Sequence, residues 1–270
     1  MLVSRKACFK KRNLKMTANP LIELHEVYKN YGAKTAVDHI NLKAYAGEIF
    51  GFLGPNGAGK TTTIKMIVGL LRPTSGTVKV AGYELDKQSL QAKFSCGFVP
   101  DTPNLYSRLS VRELLRFVGD LYCVDPGIID NRIEHLLELF DLKDAGDAMI
   151  DSYSHGMQQK ASMAAALIHN PPVLVLDEPT VGLDPKSARL IKDVLRQYAD
   201  RGSLVFVTTH ILEIAERLCD RIGIIDRGKL IAIGTMAELQ TLGRGESNLE
   251  EIFLDLTGKA EEAEIAEVLK

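Results

Sequence analysis

Gly54-Pro55-Asn56-Gly57-Ala58-Gly59-Lys60-Thr61-Thr62 is the stretch that decides the fold. It fits G-x-x-x-x-G-K-[ST], comes directly after an apolar strand over 49–53, and leads into a helical pattern through Met66 and Val68. A strand, a glycine-rich loop and a helix in that order make a cradle for phosphate. Glycines let successive backbone N–H groups converge on phosphate oxygens, where side chains would block the approach. The helix opening near Gly59 adds its positive dipole end. Lys60 offers an ammonium to the β- and γ-phosphates of a nucleotide, and the Thr61 hydroxyl is placed to ligate Mg2+.

Outward from this loop, short β-like runs alternate with helical patterns, which argues for an α/β domain around a mostly parallel sheet. Strands are expected over 21–27, 48–53, 77–80, 94–99, 173–176, 204–208, 222–225 and 229–233. Asp226-Arg227-Gly228 separates the last two as a hairpin turn. Residues 174–176 and 205–207 are continuously apolar, as central strands buried on both faces are. Between about 104 and 156 the strands give way to helices. Ser110 with Glu113 three residues on forms a capping box. Leu114, Leu115, Val118, Leu121 and Tyr122 then recur at helical spacing, and Ile133, Leu136, Leu137 and Phe140 do so in a second segment.

Two further strands end in chemistry. Val173-Leu174-Val175-Leu176 runs into Asp177-Glu178, and α/β sheets bind ligands at the carboxyl ends of their strands. There Asp177 would hold Mg2+ through water, while Glu178, facing the other way, would polarise an attacking water as general base. Val205-Phe206-Val207-Thr208-Thr209 leads likewise to His210, which would sense the γ-phosphate. The whole chain limits the alternatives. Its 33 basic and 35 acidic residues give a formal net charge of −2, so a nucleic-acid coat is excluded as its main task. It has no apolar run of the roughly 18 residues that a membrane-spanning helix needs. The four cysteines lie far apart without ligand spacing and read as thiols in a reducing compartment.

Tyr153-Ser154-His155-Gly156-Met157-Gln158-Gln159 resembles the signature loop of ATP-binding-cassette (ABC) nucleotide-binding domains. Together with the phosphate loop and the Asp177-Glu178 strand it extends that resemblance over about 20–256. The resemblance implies a P-loop NTPase (RecA-like) core, an N-terminal antiparallel β part and an inserted α-helical subdomain over about 104–160. Residues 1–19 are expected to be a basic, disordered extension, 20–242 the ATPase domain, and 243–270 a helical tail. Ser154, His155, Gly156, Met157 and Gln158 are then expected to act on ATP bound to an opposite subunit. Gly182-Leu183-Asp184-Pro185 resembles the loop that crosses the dimer interface, with Asp184 its key acid, and Tyr31 is similar to the aromatic that stacks on adenine.

Two departures from the family pattern stand out. His155 and Met157 stand where many members have Gly and Gln, a variant that looks like the branch serving two-part exporters. Asp101 stands where the family usually has a Gln that helps ligate Mg2+, so altered coupling or metal preference is expected, with hydrolysis retained.

The resemblance implies a Mg-ATP-hydrolysing subunit that drives transport, export in that branch, through a separate polytopic permease. It would sit peripherally at the cytoplasmic face of the membrane, paired with an identical or different ATPase subunit. One phosphate loop and one signature loop per chain make a monomer incomplete. The competing reading is a soluble cassette ATPase acting on ribosomes or DNA, and a third is a nucleotide sensor without turnover. The first lacks its usual double cassette or coiled coil here, and the second is weakened by the full set of Lys60, Asp177, Glu178 and His210.

Overall fold

Alternation of buried and exposed residues sets up one sheet, and runs buried on both faces set up another. The computed structural model describes residues 19–242 and 248–257. Residues 1–18, 243–247 and 258–270, which include most of the expected extension and tail, lie outside the described residues.

The chain opens with β1 (Ile22–Tyr31), β2 (Lys34–Ala44), β3 (Ile49–Leu53), α1 (Lys60–Ile67), β4 (Ser75–Val80), β5 (Tyr83–Glu84), α2 (Ser89–Phe94) and β6 (Cys96–Val99). The helices α3 (Val111–Leu121), α4 (Pro126–Leu139) and α5 (His155–Leu167) follow. The remainder alternates through β7 (Val173–Asp177), α6 (Pro185–Asp200), β8 (Leu204–Thr209), α7 (Leu212–Leu218), β9 (Arg221–Asp226) and β10 (Lys229–Gly234), and ends in α8 (Met236–Leu242) and α9 (Leu249–Thr257).

The six-stranded sheet has the order β10-β9-β3-β8-β7-β6. Its β9, β3, β8, β7 and β6 pair in parallel, and β10 joins as an antiparallel edge. Every residue of β3, β7 and β8 is buried, as the apolar runs required. The four-stranded sheet, β2-β1-β4-β5, is antiparallel. The architecture is therefore the mostly parallel core, antiparallel part and helical stretch that the motifs implied.

Some expectations are corrected. The strand expected over 94–99 begins only at Cys96, because Phe94 closes α2. β2 and β5 were not expected at all. In β2 the buried residues run Val37, Ile40, Leu42 and Ala44. His39 takes φ 51°, and the partner strand bulges at Glu26 with φ 48°. An inserted residue breaks the period of two that marks a strand. Leu121, expected on the apolar face of α3, is 60% exposed.

The capping box of α3 is present. The Ser110 hydroxyl accepts from Glu113 N at 3.2 Å, and the Glu113 carboxylate accepts from Ser110 N at 2.8 Å. The Ser110 amide and hydroxyl, both donating to the Glu113 carboxylate, hold it below its ordinary range. Ser110→Ala is expected to cost about 1 kcal/mol, seen as a lower urea midpoint at unchanged slope.

Candidate active site

The strands β3, β7 and β8 are neighbours, so their carboxyl ends bring together three segments far apart in sequence. After β3 the chain turns through the phosphate loop. A Cβ at Gly54 would stand 2.2 Å from the Ile225 carbonyl oxygen, and one at Gly59, with φ 111°, would stand 2.5 Å from that of Ala36. Only glycine lets the loop lie so close to its surroundings. The loop is braced by the β9–β10 turn, where Gly228 N donates to the Ala58 carbonyl at 2.9 Å. Asn56 and Gly57 are exposed at its crest, Pro55 is half-buried and Ala58 is buried.

Lys60 opens α1 and is only 8% exposed. Its ammonium donates to the carbonyls of Gly54 at 2.6 Å and Pro55 at 3.1 Å. Burial pulls its pKa down, and the carboxylates of Glu178 and Asp177 act in the opposite sense. A cation held this way faces inward toward whatever the loop encloses. Thr61 is exposed and Thr62 half-buried on the same helical turn.

Asp177 is 4% exposed at the end of β7. Thr208, across on β8, donates a short hydrogen bond to its Oδ1, and Thr61 donates to its Oδ2 at 3.3 Å. Burial pushes its pKa up, the two hydroxyls work against this, and Asp101 and Glu178 add repulsion. Thr208 was not singled out in the sequence. Its signal is a hydroxyl residue, fully buried, next to the end of an apolar strand.

Glu178 breaks from the strand with φ 49°. Such a left-handed conformation costs about 1–3 kcal/mol in a non-glycine residue. Its amide donates to the Thr208 carbonyl at 3.1 Å, and its carboxylate is turned toward His210. The His210 Nδ1 lies 2.9 Å from Glu178 Oε1, and the His210 amide donates to Oε2 at 3.4 Å. The imidazole is half-exposed while the carboxylate is mostly covered. Asp101 is exposed just beyond β6, where its Oδ1 accepts from Thr102 N at 2.7 Å.

The remaining residues singled out from the sequence lie elsewhere. Tyr31, 51% exposed, ends β1 with the Lys29 ammonium 5.4 Å from its ring centre. Tyr28 instead stacks on His39 at 5.0 Å. Ser154 caps α5 by accepting from Met157 N at 3.3 Å. Among the described residues no hydrogen bond or ion pair joins 154–158 to the phosphate loop. The signature loop touches the segment after Glu178 instead. The His155 ring is 3.3 Å from a Cβ position at Gly182, and Leu183 is 3.7 Å from one at Gly156. Gln159, buried beneath, donates to the Pro179 carbonyl at 3.4 Å. Asp184 caps α6, accepting from Lys186 N at 2.9 Å and Ser187 N at 3.0 Å. The hydroxyl and amide of Ser187 are the main reason its pKa is lowered.

Chemically, the cluster offers backbone N–H groups and an ammonium for phosphate. A hydroxyl and a carboxylate suit a hard cation, and a carboxylate–imidazole pair suits a water. Two cysteines lie away from it, with thiols pushed up to about 12 by burial at Cys96 and Cys219.

Known proteins resemble this chain in sequence and in fold. The family model described as ABC transporter matches residues 37–181. The linearmycin resistance ATP-binding protein LnrL of Bacillus subtilis is 42% identical over 81% of this chain and 70% of its own length. The Nod factor export ATP-binding protein I of Cupriavidus metallidurans is 41% identical over 83% of this chain and 73% of its own. Among solved structures, an ATP-binding subunit of an ABC transporter superposes with TM-score 0.84 at 31% identity, covering 87% of this chain and 99% of that one. A dimeric ATP-binding cassette in a post-hydrolysis state, bound to ADP and Pi, gives 0.73 at 27% identity over 79% and 98%. The strands that converge on one glycine loop are those of a nucleotide-hydrolysing cassette, and the chain belongs to the ABC transporter family as an ATP-binding, ATP-hydrolysing subunit.

Proposed function

We propose that this subunit powers export through a separate polytopic membrane permease, and that it does so as a pair of cassettes facing each other. The observation that carries the reading is the Glu178–His210 contact at 2.9 Å beside Lys60, Thr61 and Asp177. Gly54 to Thr62 wrap the phosphates of ATP, Lys60 stabilises charge on the β- and γ-phosphates, and Tyr31 stacks on adenine. Glu178 takes the proton of the attacking water, and His210 holds both the carboxylate and the γ-phosphate end.

Thr61 and Asp177 are hard oxygen donors on one spot, which fits Mg2+ bound by few protein ligands beside substrate phosphates. Mg2+ there would neutralise phosphate charge, with Asp101 within electrostatic reach of Asp177.

The position of the signature residues supports the pairing. Of Ser154, His155, Gly156, Met157 and Gln158, His155 lies beside Gly182 and Gly156 beside Leu183, and among the described residues no hydrogen bond or ion pair ties the five to their own phosphate loop. They complete a site only on an opposing cassette, identical or not, with Asp184 at the crossing. Export is supported by the likeness to a relative named for Nod factor export. Among the described residues no helix is long and apolar enough to cross a membrane, which suits a peripheral subunit at the cytoplasmic face.

The test is to tag the chain, extract native membranes in mild detergent, and identify what accompanies it. A stoichiometric polytopic protein supports the reading, and recovery with ribosomes or DNA would overturn it.

Asp101→Gln is expected to keep hydrolysis and to move the acid limb of kcat/KM toward lower pH. Removing Asp101 takes away a repulsion that raises the Asp177 carboxyl, so the carboxylate form persists at lower pH. A pH–rate profile with Mg2+ and with Mn2+ checks this.

A further inference from the structure

A cavity of about 250 Å³ lies between the phosphate loop and the C-terminal helix, lined by Gly54, Pro55, Asn56, His210, Leu212 and Phe253. Phe253 is the one contributor from α9. At nine residues α9 is too short to hold its shape alone. It forms because Leu249 and Ile252, 0% and 1% exposed, bury against Leu53, Ala215, Ile222 and Ile224. Asn248 also caps it, accepting from Glu251 N at 2.9 Å. The helix is thus anchored on β3, α7 and β9, and it presents Phe253 toward the loops that carry the chemistry.

The element that needs this support is α7. It has seven residues, and its N-cap Ile211 supplies no side-chain hydrogen bond. His210 stands immediately before it. On one side His210 is tied to the end of β8, where Thr209 is 2% exposed and accepts from Ile211 N at 3.0 Å. On the other side it leads into the first turn of α7, whose Leu212 packs against the same apolar cluster as Phe253. A ring of that size is stiff and low in conformational entropy, so it fixes its neighbour's position well. A half-exposed imidazole at the mouth of the site would otherwise sample several rotamers and lose its 2.9 Å contact with Glu178.

We propose that Phe253 is a positioning residue for His210, bracing the start of α7 so that the imidazole stays against Glu178. This rests on the roles given above to His210 and Glu178. The effect is on the orientation of the water-activating pair and not on nucleotide affinity, which the phosphate loop and Tyr31 supply.

The test uses the full chain in steady-state and single-turnover ATP hydrolysis, with thermal melts to confirm folding. Phe253→Ala is expected to lower kcat about 10-fold with KM within about twofold, as small misplacements near reacting atoms do. Phe253→Leu should recover most of the rate. In a His210→Ala background Phe253→Ala should add no further loss, because the two act through one contact. Independent, additive losses in that cycle would overturn the proposal. So would an unchanged kcat, or a raised KM at unchanged kcat. If Phe253→Ala does not fold, Phe253→Leu and Phe253→Met carry the same cycle. Wild-type activity in His210→Ala alone would overturn the reading of His210, and with it this one, which separates the two failures.

Discussion

Lys60→Ala is expected to abolish ATP hydrolysis and to weaken ATP binding. In the structure the ammonium is buried, donates to two loop carbonyls, and feels the negative charges of Glu178 and Asp177. Alanine removes the only cation the described residues place inside the loop, leaving two carboxylates to face a polyanion. Each charge-assisted bond to phosphate is worth about 1.5–3 kcal/mol, so affinity should fall roughly 10- to 100-fold per bond lost. The loss in the transition state is larger, since negative charge there is spread over the transferred phosphoryl group. Binding of a fluorescent ATP analogue, together with phosphate release, measures both parts. Full ATPase activity in this variant would sink the assignment of the phosphate loop.

Glu178→Gln is expected to slow hydrolysis by roughly 10²–10⁴, the range typical of losing a general base, while leaving nucleotide binding intact. Glutamine has the same size and keeps a carbonyl oxygen for the His210 contact, so the left-handed turn at 178 need not change. What it loses is the ability to accept the water's proton. ATP then persists between facing cassettes, and light scattering in MgATP should report a dimer that wild type forms only transiently. A monomer at all nucleotide concentrations would count against pairing, even if hydrolysis were slow. The two variants separate the roles. Lys60→Ala fails at binding and chemistry together, and Glu178→Gln fails at chemistry alone.

Much of this site was legible because its parts obey local rules. A glycine loop after an apolar strand, an acid pair after a second and a histidine after a third each announce themselves within about ten residues. The capping box at Ser110 and Glu113 was equally local and is present in the structure. The fold class followed from alternation of apolar runs, and the family pattern set the order of the motifs. What failed did so where two local signals competed. Phe94, Cys96 and Phe98 alternate as residues of a strand would, yet the backbone of Phe94 belongs to α2. The extra residue at Asp38–His39 hid β2, because a strand with an inserted residue loses the alternation by which a strand is read.

The sequence by itself determined which parts this chain carries: a glycine loop after a strand, an acid pair and a histidine after two more, and a segment resembling the family's signature loop. Only the tertiary structure decided how those parts hold one another. Thr208 grips Asp177 from thirty-one positions away, Gln159 reaches Pro179, the His155 ring rests on Gly182, and Phe253 closes a cavity against Pro55 and His210. No period or motif encodes such contacts. They arise when the sheet order places β7 beside β8 and the burial of Leu249 and Ile252 pins α9 across the edge of the site.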